Sequence, residues 1–165
     1  MKFGGSSVGE AACIQRVADI VESHHAAGDE VAVVVSACSG ITDRIIAAAD
    51  EAATSSEEPA IEEFISAMRE RHIRLLEATA PDHTREVTEM IDDLLLRLQN
   101  ILTAVHTLKE LTPRSRDYII SFGERLSPLL LAQPSGSGAY LQSSLTAPRP
   151  GSSRLQTTAM PVLSR

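Results

Sequence analysis

An unbroken run of five apolar residues, Val31–Val35, most limits the folds open to this chain of 165 residues. A strand buried on both faces of a parallel sheet has such a continuous run, whereas a strand with one exposed face alternates apolar and polar residues. Helical periodicity precedes the run from about Gly9 and follows it in "ITDRIIAAADEAA". Residues 1–3 have the character of another short strand. The repeated order of strand, loop and helix predicts an α/β fold with a mostly parallel sheet.

Two long amphipathic helices are predicted after this α/β unit. The first covers about residues 59–79 and the second about residues 84–111, with Pro81 between them. Together they form an inserted helical hairpin whose charged residues face solvent. A third helical region begins at Pro113 and contains "SFGE", where a glycine and an acid interrupt apolar residues.

Charge and cysteine usage exclude several classes of protein. The net charge of −7 argues against nucleic acid or an anionic membrane as the main partner. Cys13 and Cys38 lie among apolar residues without CxxC spacing, which is typical of thiols in a reducing compartment. His24 and His25 lie near the predicted end of a helix, where positive charge is favourable, and no metal site is predicted. Since no apolar run approaches about 20 residues, we expect a cytoplasmic protein without a membrane partner.

The opening residues "KFGGSSV" are suited to bind phosphate. Without Cβ atoms, Gly4 and Gly5 allow backbone N–H groups to approach a polyphosphate, and Lys2 supplies a positive charge. Ser6 or Ser7 can cap the following helix, whose N-terminus also favours an anion. The segment has neither the GxxxxGK[ST] nor the GxGxxG pattern. On spacing alone, a simple turn between a strand and a helix remains an equal alternative.

Three segments in order, "KFGGSSV", "VVVSACSGITD" and "SFGERLS", together resemble the aspartate kinases of the amino-acid kinase superfamily. In that family the corresponding segments read KFGGTSV, VVxSAxSGxTD and a Gly-Glu pair inside a loop that leads into a helix. The resemblance covers residues 1–133, which we expect to form the N-terminal part of an amino-acid kinase domain. It implies a three-layer α/β/α fold with a mostly parallel sheet, of which only the N-terminal part is present.

The resemblance implies ATP-dependent phosphorylation of the L-aspartate side-chain carboxylate to 4-phospho-L-aspartate, the first step toward lysine, threonine and methionine. ATP would bring Mg²⁺ with it, and the protein itself would hold no metal. By this resemblance Lys2 is the catalytic residue and steadies the charge shared between the β- and γ-phosphates. Gly4, Gly5 and Ser6 would line the phosphate loop, where Ser6 replaces the usual threonine but keeps a hydroxyl.

The substrate L-aspartate is assigned to the other two segments. By resemblance, Ser36 and Thr42 supply hydroxyls near the substrate and the phosphate, and Glu124 holds the amino group of aspartate. Other interpretations remain open: Ser36 and Thr42 can end a strand and cap a helix, and Glu124 can be a surface acid. Arg114, Arg116 and Asp117 are interpreted as members of structural pairs rather than as ligands.

Composition changes after residue 133. Residues 134–165 contain seven Ser and four of the eight Pro but no Asp, Glu or Lys. Neither the helical nor the strand periodicity of apolar residues persists there. This composition predicts a disordered tail. If the codons of this segment are read one base earlier, the shifted frame can encode residues typical of the family. The codon that spans those of Met160 and Pro161 then encodes alanine. We therefore predict a frameshift near Gln133, with a native Ser/Pro-rich tail as the alternative.

The resemblance also indicates missing parts. Lys2 directly follows Met1, so the first strand is expected to be clipped. The family's later segments, which carry a substrate-binding Arg and Asp, the nucleotide-base pocket and regulatory ACT domains, are not found in the sequence. We expect the chain as written to have no measurable kinase activity, and the parent family to be homo-oligomeric.

Two further functions are compatible with the sequence. One is a different amino-acid kinase that acts on glutamate or on a nucleotide, which substrate screening would reveal. The other is a non-catalytic interaction module that uses the helical hairpin at residues 60–111. Such a module would bind a partner without ATP.

Overall fold

A computed structural model describes residues 1–81 and 84–131 of the chain. The predicted tail at 134–165 and the predicted frameshift near Gln133 lie outside the described residues. Within the described ranges the chain forms two short strands and five α-helices, and none of these helices is both long and apolar enough to cross a membrane. In chain order the elements are β1 (Lys2–Phe3), α1 (Ala11–Ala26), β2 (Val34–Val35), α2 (Ile41–Thr54), α3 (Ile61–Thr79), α4 (Thr84–Leu108) and α5 (Pro113–Leu126).

The two strands pair in parallel, as the sequence predicts. Lys2 lies opposite Val34, and Phe3 lies opposite Val35. Val35 is buried, whereas Val34 is 55% exposed, so this pair has only one face against the core of the described residues. Of the predicted run from residue 31, only Val34 and Val35, which lie beside β1, form a strand. The described residues are mostly helical, and the parallel pair is the part of the predicted sheet that they show.

Helices α3 and α4 form the predicted hairpin. The Arg69 Nε atom lies 2.7 Å from the Asp92 Oδ1 atom, which joins the two helices on their exposed side. Helix α4 ends at Leu108, three residues before its predicted end, because Lys109 adopts a left-handed backbone conformation with φ = 54°. The Lys109 ammonium donates to the Ser55 carbonyl, which connects the end of α4 to the end of α2.

The core lies between α2, α4 and α5 and continues under the strands. The largest fully buried side chains come from all five helices. Arg116 on α5 forms an ion pair with Asp50 on α2, with 3.2 Å between Nη1 and Oδ2. Arg116 thus forms a structural ion pair between two packed helices, as the sequence indicated. The buried apolar members of this core on α2, α4 and α5 include Ile41, Ile45, Leu95, Leu98, Leu102, Ile119, Phe122 and Leu126.

Candidate functional site

The three segments that resemble aspartate kinases meet at Ala37. A Cβ atom placed on Gly5 would lie 2.6 Å from the Ala37 carbonyl oxygen, and one placed on Gly123 would lie 2.9 Å from the Ala37 Cβ. Both distances are shorter than van der Waals contact, so only glycine fits either position in this packing. Residues that are 32 and 86 positions apart from Ala37 are therefore in direct contact with it.

The glycine-rich segment folds into a single 3₁₀ turn, Gly5–Ser7. The Ser7 N–H donates to the Gly4 carbonyl at 2.9 Å, and the Val8 N–H donates to the Gly5 carbonyl at 3.3 Å. The predicted capping of α1 by Ser6 or Ser7 is wrong. The 3₁₀ turn separates these serines from α1, which begins at Ala11 after Glu10 without a side-chain cap.

Two of the three polar side chains of the opening segment face solvent. Lys2 in β1 is exposed, and its ammonium makes no ion pair within residues 1–81 and 84–131. Ser6 is also exposed. Among the residues that the structure describes, no atom outside its immediate chain neighbours lies within 4 Å of a Cβ position on Gly4. Lys2, Ser6 and the backbone at Gly4 are therefore accessible to an anionic ligand.

The loop between β2 and α2 is hydrogen-bonded along the opening segment. The Ser36 N–H donates to the Phe3 carbonyl at 3.1 Å, and the Ser39 N–H donates to the Gly5 carbonyl at 3.2 Å. Gly40, with φ = 75°, precedes α2 as its N-cap residue. Thr42 lies inside the first turn of α2, so the alternative that it caps this helix is wrong. The Ser36 and Thr42 side chains are half-buried.

Glu124 lies inside α5, one residue after the glycine that contacts Ala37. Helix α5 continues through Gly123 without interruption. That glycine packs against Ala37, and a Cβ atom placed on it would also lie 3.4 Å from the Ile41 Cγ2 atom. The Glu124 side chain is half-buried and makes no hydrogen bond or ion pair with the residues that the structure describes. Its carboxylate is therefore free to accept hydrogen bonds from a ligand ammonium group.

Two contacts of this site were not predicted from the sequence. The Arg71 Nη2 atom on α3 donates to the Ser39 carbonyl at 3.0 Å. The Ser127 Oγ lies 3.5 Å from the buried Cys38 Sγ. Burial raises the pKa of the Cys38 thiol, while the Ser127 hydroxyl and the charge of Arg71 oppose that rise. No signal marks Arg71 in the sequence, since it stands among other charged residues in "RERHIR".

His72, beside Arg71 on α3, is fully buried. Its Nδ1 lies 2.7 Å from the Met68 carbonyl oxygen and donates to it, while the buried Nε2 has no partner among the described residues. Burial lowers the pKa of His72, and the positive charges of Arg71 and Arg44 lower it further. Across the described ranges, no group of three or more His, Cys, Asp or Glu side chains is arranged to hold a metal ion.

The three segments of this site lie within the part of the chain that is similar to known proteins. The model of the amino acid kinase family matches residues 1–137. Over 133 residues the chain is 35% identical to Aspartokinase 1, chloroplastic, of Arabidopsis thaliana, covering 80% of this chain and 22% of that protein. Over 134 residues it is 39% identical to Aspartokinase 3, chloroplastic, of the same plant, with the same coverage.

A solved structure is similar in fold as well. The crystal structure of Escherichia coli aspartokinase III in complex with aspartate and ADP matches with a TM-score of 0.64 and 31% sequence identity. The match covers 80% of this chain and 27% of the aspartokinase III chain. The chain thus spans about a fifth to a quarter of the length of the relatives that it matches.

Proposed function

Because the chain belongs to the amino acid kinase family, we propose that its three converging segments form part of a site that phosphorylates L-aspartate. In the proposed reaction the aspartate side-chain carboxylate attacks the γ-phosphorus of ATP, the bond to the bridging oxygen breaks, and ADP leaves with 4-phospho-L-aspartate as the product. The contact of Gly5 and Gly123 with Ala37 is the observation that carries this proposal. It supports the proposal because the opening segment lies beside the two segments to which the proposal assigns the amino acid.

The nucleotide phosphates are assigned to the opening segment. The Lys2 ammonium is accessible and unpaired within the described residues, and the backbone around Gly4 is open to solvent. We propose that Lys2 neutralises charge shared by the β- and γ-phosphates, while Gly4, Gly5 and Ser6 present backbone and hydroxyl donors. Mg²⁺ that arrives with the nucleotide would neutralise further phosphate charge.

The amino acid is assigned to the other two segments. We propose that the Glu124 carboxylate accepts hydrogen bonds from the aspartate ammonium, and that the Ser36 and Thr42 hydroxyls lie near the reacting carboxylate and phosphate. An aspartate carboxylate, with a usual pKa of about 3.9, is already ionised at neutral pH. The site therefore needs no general base, and its contributions are positioning and neutralisation of charge.

The reaction and its biological context go beyond the part of the kinase that this chain spans. The role in lysine, threonine and methionine biosynthesis, the cytoplasmic location and a homo-oligomeric parent enzyme remain proposals by family. The absence of measurable kinase activity in the 165-residue chain also stays a prediction. Phosphoryl transfer that depends on ATP and aspartate by the purified chain would contradict it.

Ligand binding by the 165-residue chain tests the proposed site without requiring turnover. In ¹H–¹⁵N NMR spectra, titration with Mg²⁺–ADP is expected to shift the amides of Gly4, Gly5 and Ser6. Titration with L-aspartate is expected to shift those of Ser36 and Glu124. The Lys2→Ala variant should bind the nucleotide about tenfold more weakly, because a charge-assisted contact to phosphate is lost.

A matched variant and a second ligand make this result specific. Arg85→Ala removes a cation whose side chain is 95% exposed on α4, and it should leave nucleotide affinity unchanged. Equal nucleotide affinities for wild type and Lys2→Ala would contradict the role of Lys2. Stronger binding of L-glutamate than of L-aspartate would instead favour the alternative of a different amino-acid kinase.

A further inference from the structure

Arg71 differs from the two arginines that flank it on α3. Arg69 forms an ion pair with Asp92, and Arg74 forms one with Glu70. Arg71 makes no such pair within residues 1–81 and 84–131. Its guanidinium instead lies against the loop between β2 and α2, where Nη2 donates to the Ser39 carbonyl at 3.0 Å. The side chain is half-buried, so α3 carries one cation directed at a loop rather than at a carboxylate.

The peptide groups of Ser39 are held from both sides. The Ser39 N–H donates to the Gly5 carbonyl in the phosphate segment, and its carbonyl accepts from Arg71. The next residue, Gly40, has φ = 75°, and the Ile41 N–H closes the turn on the Cys38 carbonyl at 3.0 Å. Ser39 therefore connects three parts of the molecule: the phosphate segment, the start of α2 and the helical hairpin.

The guanidinium in this position also has an electrostatic effect on its neighbours. The charge of Arg71 acts on both Cys38 and His72, on either side of the contact with Ser39. Ser39 itself is exposed, so water can replace the guanidinium on its carbonyl if Arg71 is removed. Loss of the contact with Arg71 should therefore affect the fold as a whole only slightly.

We propose that Arg71 is a positioning residue that holds the loop Ser36–Gly40, and with it Ser36 and Thr42, in the orientation that the amino acid requires. The inference rests on the proposed function for the identity of the ligand. The ordering of the loop by Arg71 does not depend on any ligand. The helical hairpin thereby acts on the site through one side chain.

Amide hydrogen exchange of the complete 165-residue chain tests the ordering of the loop. In Arg71→Gln, the Ser39 and Ile41 amides should exchange about fivefold faster than in wild type, because the charge-assisted hydrogen bond from the guanidinium to the loop is lost. Arg74→Gln, on the same helix but paired only with exposed Glu70, is the matched control and should leave these rates unchanged. Arg71→Lys retains a cation and a donor, and should restore part of the protection.

Two results would overturn the inference. One is equal exchange at Ser39 and Ile41 in Arg71→Gln and wild type. The other is faster exchange throughout the chain together with a lower melting temperature than that of Arg74→Gln, which would show a general structural role.

Aspartate titration separates this inference from the proposed function. Where wild type binds aspartate, Arg71→Gln should bind it about fivefold more weakly, with partial recovery in Arg71→Lys. Equal aspartate affinity in wild type and Arg71→Gln would contradict a role in positioning for the ligand. If wild type binds no aspartate, the proposed function fails, and the exchange rates still decide whether Arg71 orders the loop.

Discussion

Gly5 packs closely against the loop that follows β2. A methyl group at this position would lie 2.6 Å from the Ala37 carbonyl oxygen, which belongs to the backbone and cannot rotate away. We expect Gly5→Ala to lower the free energy of unfolding by about 1–3 kcal/mol, the usual cost of overpacking. Urea unfolding followed by circular dichroism measures this change.

Gly4 provides the control for this substitution. Its backbone is extended, with φ = −79°, and no atom of the described residues beyond its chain neighbours lies within 4 Å of its Cβ position. Gly4→Ala should change the free energy of unfolding by no more than about 0.5 kcal/mol. Similar losses in the two variants would show that the contact of Gly5 with Ala37 is not what constrains the segment.

His72 should make stability depend on pH. Because burial lowers its pKa in the folded state, His72 is neutral in both states above the usual value of about 6.5. Below that pH the unfolded chain binds a proton that the folded chain does not, so stability falls by up to about 1.4 kcal/mol per pH unit until the lower, folded pKa is reached.

The variant His72→Leu isolates this contribution. Its free energy of unfolding, measured between pH 7.5 and 5.5, should fall less steeply toward acid than that of wild type. His25→Gln, which alters a less buried histidine on α1, should keep the wild-type slope. A wild-type slope in His72→Leu would contradict the burial argument.

At the scale of single elements, α5 depends on its first residues. The Thr112 Oγ1 accepts a hydrogen bond from the Ser115 N–H at 3.1 Å, and Pro113 occupies the first helical position. Thr112→Ala should cost about 1 kcal/mol of stability, the usual value for loss of an N-cap. Thr107→Ala, which removes an exposed hydroxyl within α4, should cost less than half as much. Thermal unfolding of both variants compares them, and equal losses would argue against the cap.

Elements with a strong local pattern are the ones that the sequence predicts well. Helix α2 occupies the predicted segment, and the hairpin has its predicted break near Pro81. The end of α4 was misplaced because Lys109, rather than a glycine, adopts the left-handed conformation there. In the site, the identity of the segments followed from their resemblance to a family, but their meeting at Ala37 did not follow from spacing. Arg71 was missed because its partner is a backbone carbonyl 32 residues away, and a carbonyl leaves no mark in the sequence.

At the scale of the whole molecule, the gene offers a direct test of the predicted frameshift, which falls outside the described residues. We expect the DNA, read one base earlier from the codon for Gln133, to continue without a stop and to encode residues typical of the family. Sequencing this region decides the matter. A stop codon in the shifted frame between the codons for Pro134 and Ser164 would rule the frameshift out and favour a native Ser/Pro-rich tail.

The contact of Ala37 with Gly5 on one side and Gly123 on the other has a consequence for biosynthesis. At translation rates of about 5–20 residues per second, Gly123 is added roughly 4–17 s after Ala37. During that interval the nascent chain can dock its first glycine-rich turn but not the helix that covers Ala37 and Ile41. A chaperone that binds apolar segments at the ribosome therefore has seconds in which to engage the start of α2 before α5 displaces it.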